Sequence, residues 1–488
     1  MTERDLFVGL DVGTTAIKAA LFDARGHVVA EASSPNRTSR PAPGIVEQDP
    51  REWTDGVIAG MDAMLTGDRA ERVAAVGLCS QVNTDVFVDA DGHALAPAIT
   101  WQDNRAARQA AELDAGVFAA EKTSWWGAPL PIGASHVLAR MMWMAKQRPD
   151  VYAAARQVLT PKDYCLRVLA GVAIADPISN FFVVGQDLTY VEPLIARIPG
   201  ARERFPPLRF FTEVVGQIRL GSSDKRAPVV AGTMDAWSGL FGAGVRKAGQ
   251  GVYISGTSEI LAVASAERAC APGVVTFPNA AGLTVHAGPT QSGGDSLRWW
   301  GEAIGRDVGG VLELASRADR SGRPVLFLPH LEGERAPLWD GELRGAFIGL
   351  DRRSSGPDCA LAVMEGVALS ARMLLASLDA AAGEIVPRLF HAGGGARSDL
   401  WAQIRADCLG RPLDRVDYPD VGCLGAAIMA AVGVGAHESL TAAISKMTRV
   451  ERQFEPDPGM KARYDAMYET YLLATQALRP LGIIEIGQ

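Results

Sequence analysis

An α/β fold built twice along one chain is the class this sequence predicts, and three observations carry that prediction. Strand-like runs alternate with amphipathic helical runs, the pattern of α/β architecture. A Gly-Thr turn joins two strands near the start, at Gly13-Thr14-Thr15, and again near the middle, at Gly256-Thr257-Ser258. The 488 residues also exceed what one hydrophobic core usually holds, so two domains of similar size are expected.

The first strands are read at Leu6–Leu10, Ile17–Phe22 and Val28–Ala32, separated by turn-forming residues. Asp49 then caps a helix that begins with Pro50 and buries Trp53, Val57, Ile58, Met61 and Met64 at helical spacing. A buried strand follows at Val73–Cys79, then a hairpin around Asp89–Gly92. The second half restarts with strands Val252–Ser255 and Ile260–Ala264. Helices are predicted at Asp295–Ile304, Pro357–Leu378, Ser398–Leu409 and Val421–Val432. The boundary is placed in the Gly-rich stretch near Val245–Gly249, dividing the chain into 1–245 and 246–488.

Composition excludes several classes. Apolar residues make up 48% and charged ones 21%, a globular profile with a formal charge of −8. No run of Lys or Arg offers a track for a phosphate backbone, so no nucleic-acid partner is expected. No stretch reaches the roughly 18 to 20 uninterrupted apolar residues of a membrane span, and the polar Met1–Asp5 is no secretory signal. Six scattered cysteines without C-x-x-C spacing read as reduced thiols of a cytoplasmic protein.

Chemistry concentrates in a few places. A Gly-Thr hairpin tip leaves backbone N–H groups pointing outward, suited to phosphate oxygens. Asp11, beside Gly13, Thr14, Thr15 and Lys18, would repel phosphate directly and so makes sense as a ligand of Mg²⁺ or of its water shell. A plain turn closed by the Asp side chain remains the alternative. The second turn, at Gly256 and Thr257, would supply an equivalent grip, and no P-loop pattern is present. Gly393–Ala396 lets a flat ring or phosphate approach the backbone before a helix capped by Ser398 or Asp399. Gly425-Ala426-Ala427 offers another small-residue surface, for which helix packing is the preferred reading. Asp235 sits where a buried strand meets a helix, fit for a general base or for an ordinary N-cap.

Taken together, the motifs resemble the FGGY family of carbohydrate kinases over almost the whole chain. The segments that carry the resemblance are Asp11–Thr15, Gly44-Ile45-Val46-Glu47-Gln48-Asp49-Pro50, Trp101-Gln102-Asp103-Asn104-Arg105, Pro161-Lys162-Asp163-Tyr164, Leu328–Pro337, Gly345–Glu365 and Gly393–Trp401. The resemblance implies two RNase H-like domains of the actin/hexokinase type with an interdomain cleft, ATP and Mg²⁺ as cofactors, and a small sugar or polyol as substrate. It implies Asp235 as base, Asp11 at the metal, and Gly13, Thr14, Thr15, Lys18, Gly256 and Thr257 at phosphate. On the adenine side it implies Gly394, Gly395, Ala396 and Ser398, and on the sugar side Gln81, Val82, Asn83, Trp101 and Asp103. Asp103, Arg105, Glu334 and Arg335 read either as pocket groups or as structural ion pairs, the latter preferred for Glu334 and Arg335.

The sugar pocket departs from the better-known members. Val82 and Asn83 stand where xylulokinases carry Met-His and glycerol kinases Arg-Glu, and Ala236 follows the base where Asn or Gln is common. Trp125 and Trp126 read as core packing or as a stacking face for a sugar. A ketopentose is the first expectation for the substrate, by analogy with the family. A tetrulose, polyol, glycerol or deoxy-sugar, or a catalytically weak sugar sensor, stands as the alternative. A nucleotide-driven ATPase without a sugar substrate fits less well, because the motifs outside the phosphate loops would then have no task. A homodimer is compatible with the sequence but not established by it.

Overall fold

The computed structural model describes residues 4–320 and 322–479. The chain folds into two compact units, and they are not simple halves. The first contains residues 4–246, 277–281 and 420–448, and the second contains the other described residues.

Each unit is organised on one mixed sheet. In the first, the strand order is Val214–Arg219, Arg226–Val230, Val73–Ser80, Leu6–Val12, Ala16–Asp23 and Val28–Pro35. The last three form an antiparallel meander, and Val73–Ser80 runs parallel to Leu6–Val12. In the second, the corresponding meander is Gln250–Ser255, Glu259–Ser265 and Thr284–Pro289, and Leu389–Ala392 runs parallel to its first strand. Leu413–Val416 then pairs parallel with Leu389–Ala392. The same order of meander and parallel strands in both units makes the duplication a property of the fold.

The predicted strands and helices are present, mostly a residue or two longer. Pro50–Met64 is capped by Asp49, whose side chain accepts from the Arg51 amide, and it buries Trp53, Val57, Met61 and Met64 against the sheet. Ile58, also expected on that face, is only half-buried. In the second unit, helix Gly356–Ala382 runs through the core. Among the described residues it is the one helix long and apolar enough to cross a membrane, and 83% of its most apolar window is buried in the protein.

Helix Val421–Gly433 belongs to the first unit. It reaches the sheet backbone-on-backbone: a Cβ on Gly9 would lie 1.8 Å from the Cys423 carbonyl oxygen, and one on Gly77 would lie 1.9 Å from that of Ala426. On its other side a Cβ on Gly425 would lie 1.8 Å from Ser238 O of helix Asp235–Ala243. Helix packing is therefore what the Gly425-Ala426-Ala427 surface serves.

Candidate active site and nucleotide motifs

In the first unit the candidate groups gather where parallel strands end, the usual place for ligands in α/β sheets. Asp11 and Thr233 both lie opposite Cys79 in register, one on each side. The chain leaves those strands toward Gly13-Thr14-Thr15, Gln81-Val82-Asn83 and Asp235 respectively. Strand pairing alone thus brings Asp11, the 81–83 turn and Asp235 together.

Asp235 is the first residue of helix Asp235–Ala243, and Met234 occupies the cap position. Its carboxylate is therefore not the helix cap. Oδ1 accepts from the Ala236 amide at 2.7 Å. Burial, with help from the Asp11 charge, raises its pKa to about 7. A carboxylate poised near neutrality is suited to accept a proton from an attacking hydroxyl.

Asp11 lies beside Lys18 across the hairpin. Its Oδ1 is buried without a hydrogen-bond partner, and burial raises its pKa to about 6 against the pull of Lys18. An orphaned, desolvated carboxylate oxygen next to a phosphate-type turn fits a hard divalent cation or its water shell. Lys18 is itself engaged by the Asp420 carboxylate. Burial lowers the Lys18 pKa, but Asp420 and the Asp11 charge together bring it above its ordinary value.

The first hairpin turns its carbonyls inward. Val12 O accepts from the Gln81 amide, Gly13 O from Asn36 Nδ2, Thr14 O from Gln48 Nε2, and Thr15 O from the Asn36 amide. The oxygens that would repel a phosphate are thereby occupied inside the unit. Thr14 Oγ1 donates to Gln81 Oε1 and accepts from Trp101 Nε1, each at 3.0 Å. Gln81 is buried and serves this network. Val82 and Asn83 stay partly exposed. Asn83 adopts a left-handed φ of 51°, and its carbonyl is held by buried Arg140, which also pairs with Asp85 at 2.7 Å. A recess of about 20 Å³, room for one water, is lined by Asn83, Asp85, Ser135, Ser179 and Asn180 among others.

Other predicted residues turn out to be occupied. Asp103 is buried, accepting from the Val46 amide at 2.6 Å and from the Arg105 guanidinium. Glu334 is buried and accepts from Gln291 and Arg335 amides, His330 and Ser370. Trp126 is a core residue packed edge-on against Trp125.

The second unit repeats the inward-facing carbonyls. Gly256 O and Thr257 O accept from the amides of Gly294 and Asp295, while Gly256 and Thr257 themselves remain exposed. The 393–396 segment packs on the end of the neighbouring strand: a Cβ on Gly393 would lie 2.4 Å from Ser255 O, and one on Gly395 would lie 2.8 Å from Ser255 Cβ. Gly394 alone faces open space. Ala396 is buried, and Ser398 Oγ caps the following helix by accepting from the Trp401 amide. A cavity of about 260 Å³ borders the segment, lined by Gly393, Ala396, Arg397, Arg415 and Asp417 among others.

Sequence reasoning did not single out Asn36, and it met Arg140 only as the residue standing where the family's N-terminal signature usually has Lys. Nor did it single out Asp176, whose carboxylate accepts from Thr233 Oγ1 at 2.8 Å and pairs with Lys162 at 2.8 Å. Gln48 and Lys162 do lie inside quoted motifs, and that was the available signal.

Comparison with known proteins places the whole chain. The chain is 29% identical to the xylulose kinase of Escherichia coli over 98% of its own length and all of the relative's. The crystal structure of a xyloylose kinase from Brucella ovis superposes with a TM-score of 0.88 at 28% identity, covering 98% of this chain and 100% of that one. A xylulose kinase from Rhodospirillum rubrum gives 0.87 at 27% identity, covering 98% and 99%. Residues 6–242 match the N-terminal domain model of the FGGY family of carbohydrate kinases, and residues 251–434 match its C-terminal domain model. These matches lead to one conclusion: this chain belongs to the FGGY family of carbohydrate kinases and is an ATP-dependent sugar kinase.

Proposed function

We propose that the enzyme transfers the γ-phosphoryl group of Mg·ATP to a terminal hydroxyl of a ketopentose, with xylulose the first choice. The observation that carries this reading is Asp235, a carboxylate at a helix start, not used as its cap and lifted by burial to about 7. The substrate class follows the xylulose kinases to which the chain is similar. The groups that bind sugar are assigned to residues 1–245 and those that bind adenosine to 246–488, in the cytoplasm, where ATP is supplied.

In this mechanism Asp235 takes the proton from the substrate hydroxyl as that oxygen bonds to the γ-phosphorus. The bond to the bridging oxygen breaks, and its electron pair leaves with ADP. Amides and hydroxyls at Gly13, Thr14 and Thr15 hold phosphate oxygens from the first unit. Gly256 and Thr257 are the second unit's own candidates for phosphate, and Gly394 leaves space there for the base. Asp11 would hold Mg²⁺ or its waters, and the bound ion supplies neutralising charge to the phosphates. Lys18, held by Asp420 and opposite Asp11 across the hairpin, adds positive charge beside that carboxylate. Val82, Asn83, Trp101 and Ala236 shape the sugar pocket, and Asp103 supports it through Arg105.

A panel of ketopentoses, ketohexoses, tetruloses, tetritols, gluconate and glycerol, assayed by ADP release, tests the reading. Stimulation by a ketopentose above all others is the expected result. Asp235→Asn should reduce turnover by about 10³-fold or more with ATP binding retained. A variant that turns over near the wild-type rate removes Asp235 as base. Asp11→Asn should raise the Mg²⁺ concentration needed for half-maximal rate.

A further inference from the structure

In the second unit one buried side chain touches both nucleotide motifs. Arg405, on helix Asp399–Leu409, is fully buried. It donates from Nη2 to Glu259 Oε1 at 2.7 Å and from Nη1 to the Gly395 carbonyl at 3.0 Å. Nε donates to Tyr253 Oη at 3.2 Å, and the guanidinium lies 3.7 Å from the Trp401 ring centroid. Glu259 pairs in register with Ser255, and together they close the Gly256–Ser258 hairpin. Its other oxygen accepts from Ser255 Oγ at 3.4 Å, and Ser255 Oγ lies 3.0 Å from His391 Nε2. His391 is kept neutral by burial and by the charges of Arg405 and Arg415.

We propose that Arg405 and Glu259 are positioning residues for the nucleotide: the pair locks the hairpin and the Gly393–Ala396 segment into one rigid cradle, preset for ATP. This rests on the reading that those two segments bind ATP. A buried ion pair is a poor source of stability, since taking both charges out of water offsets most of their attraction. What the pair supplies is geometry. A planar guanidinium directs separate N–H groups along fixed directions, here to a carboxylate in one motif and a backbone carbonyl in the other. Lysine keeps the charge but lacks the fork.

The test uses the full-length enzyme with Arg405→Lys, Glu259→Gln and Gly394→Val, measuring KM for ATP and for the sugar, ADP binding by calorimetry, and the thermal midpoint. Arg405→Lys should raise KM for ATP and weaken ADP binding by about tenfold, as for one charge-assisted hydrogen bond, with the sugar KM within about twofold. Glu259→Gln should act in the same direction, and either variant suffices if the other fails to fold. A lowered thermal midpoint with unchanged ADP affinity, or equal rises in both KM values, overturns the proposal. Gly394→Val separates the two levels, because a Cβ there meets no protein atom within 4 Å. If Gly394→Val leaves ADP binding intact, the nucleotide assignment of the segment fails. If Gly394→Val weakens ADP binding while Arg405→Lys does not, only the positioning role fails.

Discussion

The indole nitrogen of Trp101 donates a 3.0 Å hydrogen bond to Thr14 Oγ1, so a residue of the expected sugar wall and the tip of the first phosphate hairpin share one hydroxyl. That hydroxyl donates to Gln81 Oε1, Gln81 Nε2 donates to Gln48 Oε1, and Gln48 Nε2 returns to Thr14 O. The ring closes on the hairpin it started from. Buried polar networks of this kind are costly to break in part and cheap to keep whole.

Trp101→Phe removes one neutral bond from the ring, worth about 1 kcal/mol. The expected effect is a stability loss of about 1 kcal/mol together with a fall in kcat/KM of about fivefold. Gln48→Leu is different in kind. It strands Thr14 O, Trp53 Nε1 and Gln81 Nε2, all partners of one amide. Its cost should be about 3 kcal/mol or more in urea unfolding.

The pH dependence follows from Asp235. With Asp235 as the proposed base, its pKa, raised to about 7, should make the rate climb as pH rises toward and through that value, because only the carboxylate accepts a proton. Stability runs the other way. In the folded protein the carboxyl keeps a proton, between about pH 4 and 7, that the unfolded chain has already released. The contribution of this residue therefore becomes more destabilising as pH rises across that window. Asp235→Asn should be more stable than the wild type at pH 8 by about 1–2 kcal/mol, discounted for the partly open site, and equal to it near pH 4. Thermal midpoints of both proteins across pH 4–8 measure the difference directly.

Thr233 stands two residues before Asp235, the proposed base, and its hydroxyl donates to Asp176 Oδ1, which also accepts from the Ile178 and Ser179 amides. Lys162 Nζ bridges Asp176 and Asp163 in full burial. The strand end that leads into Asp235 is thus anchored to a buried charge cluster. Thr233→Val keeps shape and removes the anchor. Its kcat should fall about tenfold with KM for ATP unchanged, and Thr233→Ser should restore it. Failure of serine to restore kcat would show that Thr233 acts by packing alone.

How far the sequence reaches is clear from particular residues. The meander strands and the helix starting at Pro50 were legible because they depend on local signals: alternation, a capping aspartate and a proline. Asp11, Gln81 and Asp235 could be named from motifs, yet their juxtaposition is set by the register of three strands from distant parts of the chain. The assignment of residues 420–448 to the first unit was not legible, since it depends on close approaches between Gly9, Gly77 and the carbonyls of a helix more than 300 positions away. Asp103 and Ser398 carry the right chemistry for ligand contact but are engaged by Arg105 and by a helix end. Residue type reports what a group can do, and only the fold reports which groups remain free to do it.

The helix Val421–Gly433 supplies the last prediction. Its Gly425 meets Ser238 of helix Asp235–Ala243 so closely that an added Cβ would sit 1.8 Å from a backbone oxygen, which cannot swing aside as a side chain would. The two helices must separate to admit even a methyl group. Gly422 O accepts from Ser238 Oγ at 2.8 Å, so separation also breaks that bond. Gly425→Ala, which elsewhere in a helix would stabilise by about 1 kcal/mol, should here destabilise by about 3 kcal/mol. Because Asp235 opens the displaced helix, kcat should fall together with stability. Gly133→Ala is the matched control: a Cβ there has nothing within 4 Å, and its stability should stay within about 0.5 kcal/mol of the wild type. Urea unfolding and turnover measured on both variants decide the matter, and a Gly425→Ala protein as stable and active as the control would mean that the two helices adjust without moving Asp235.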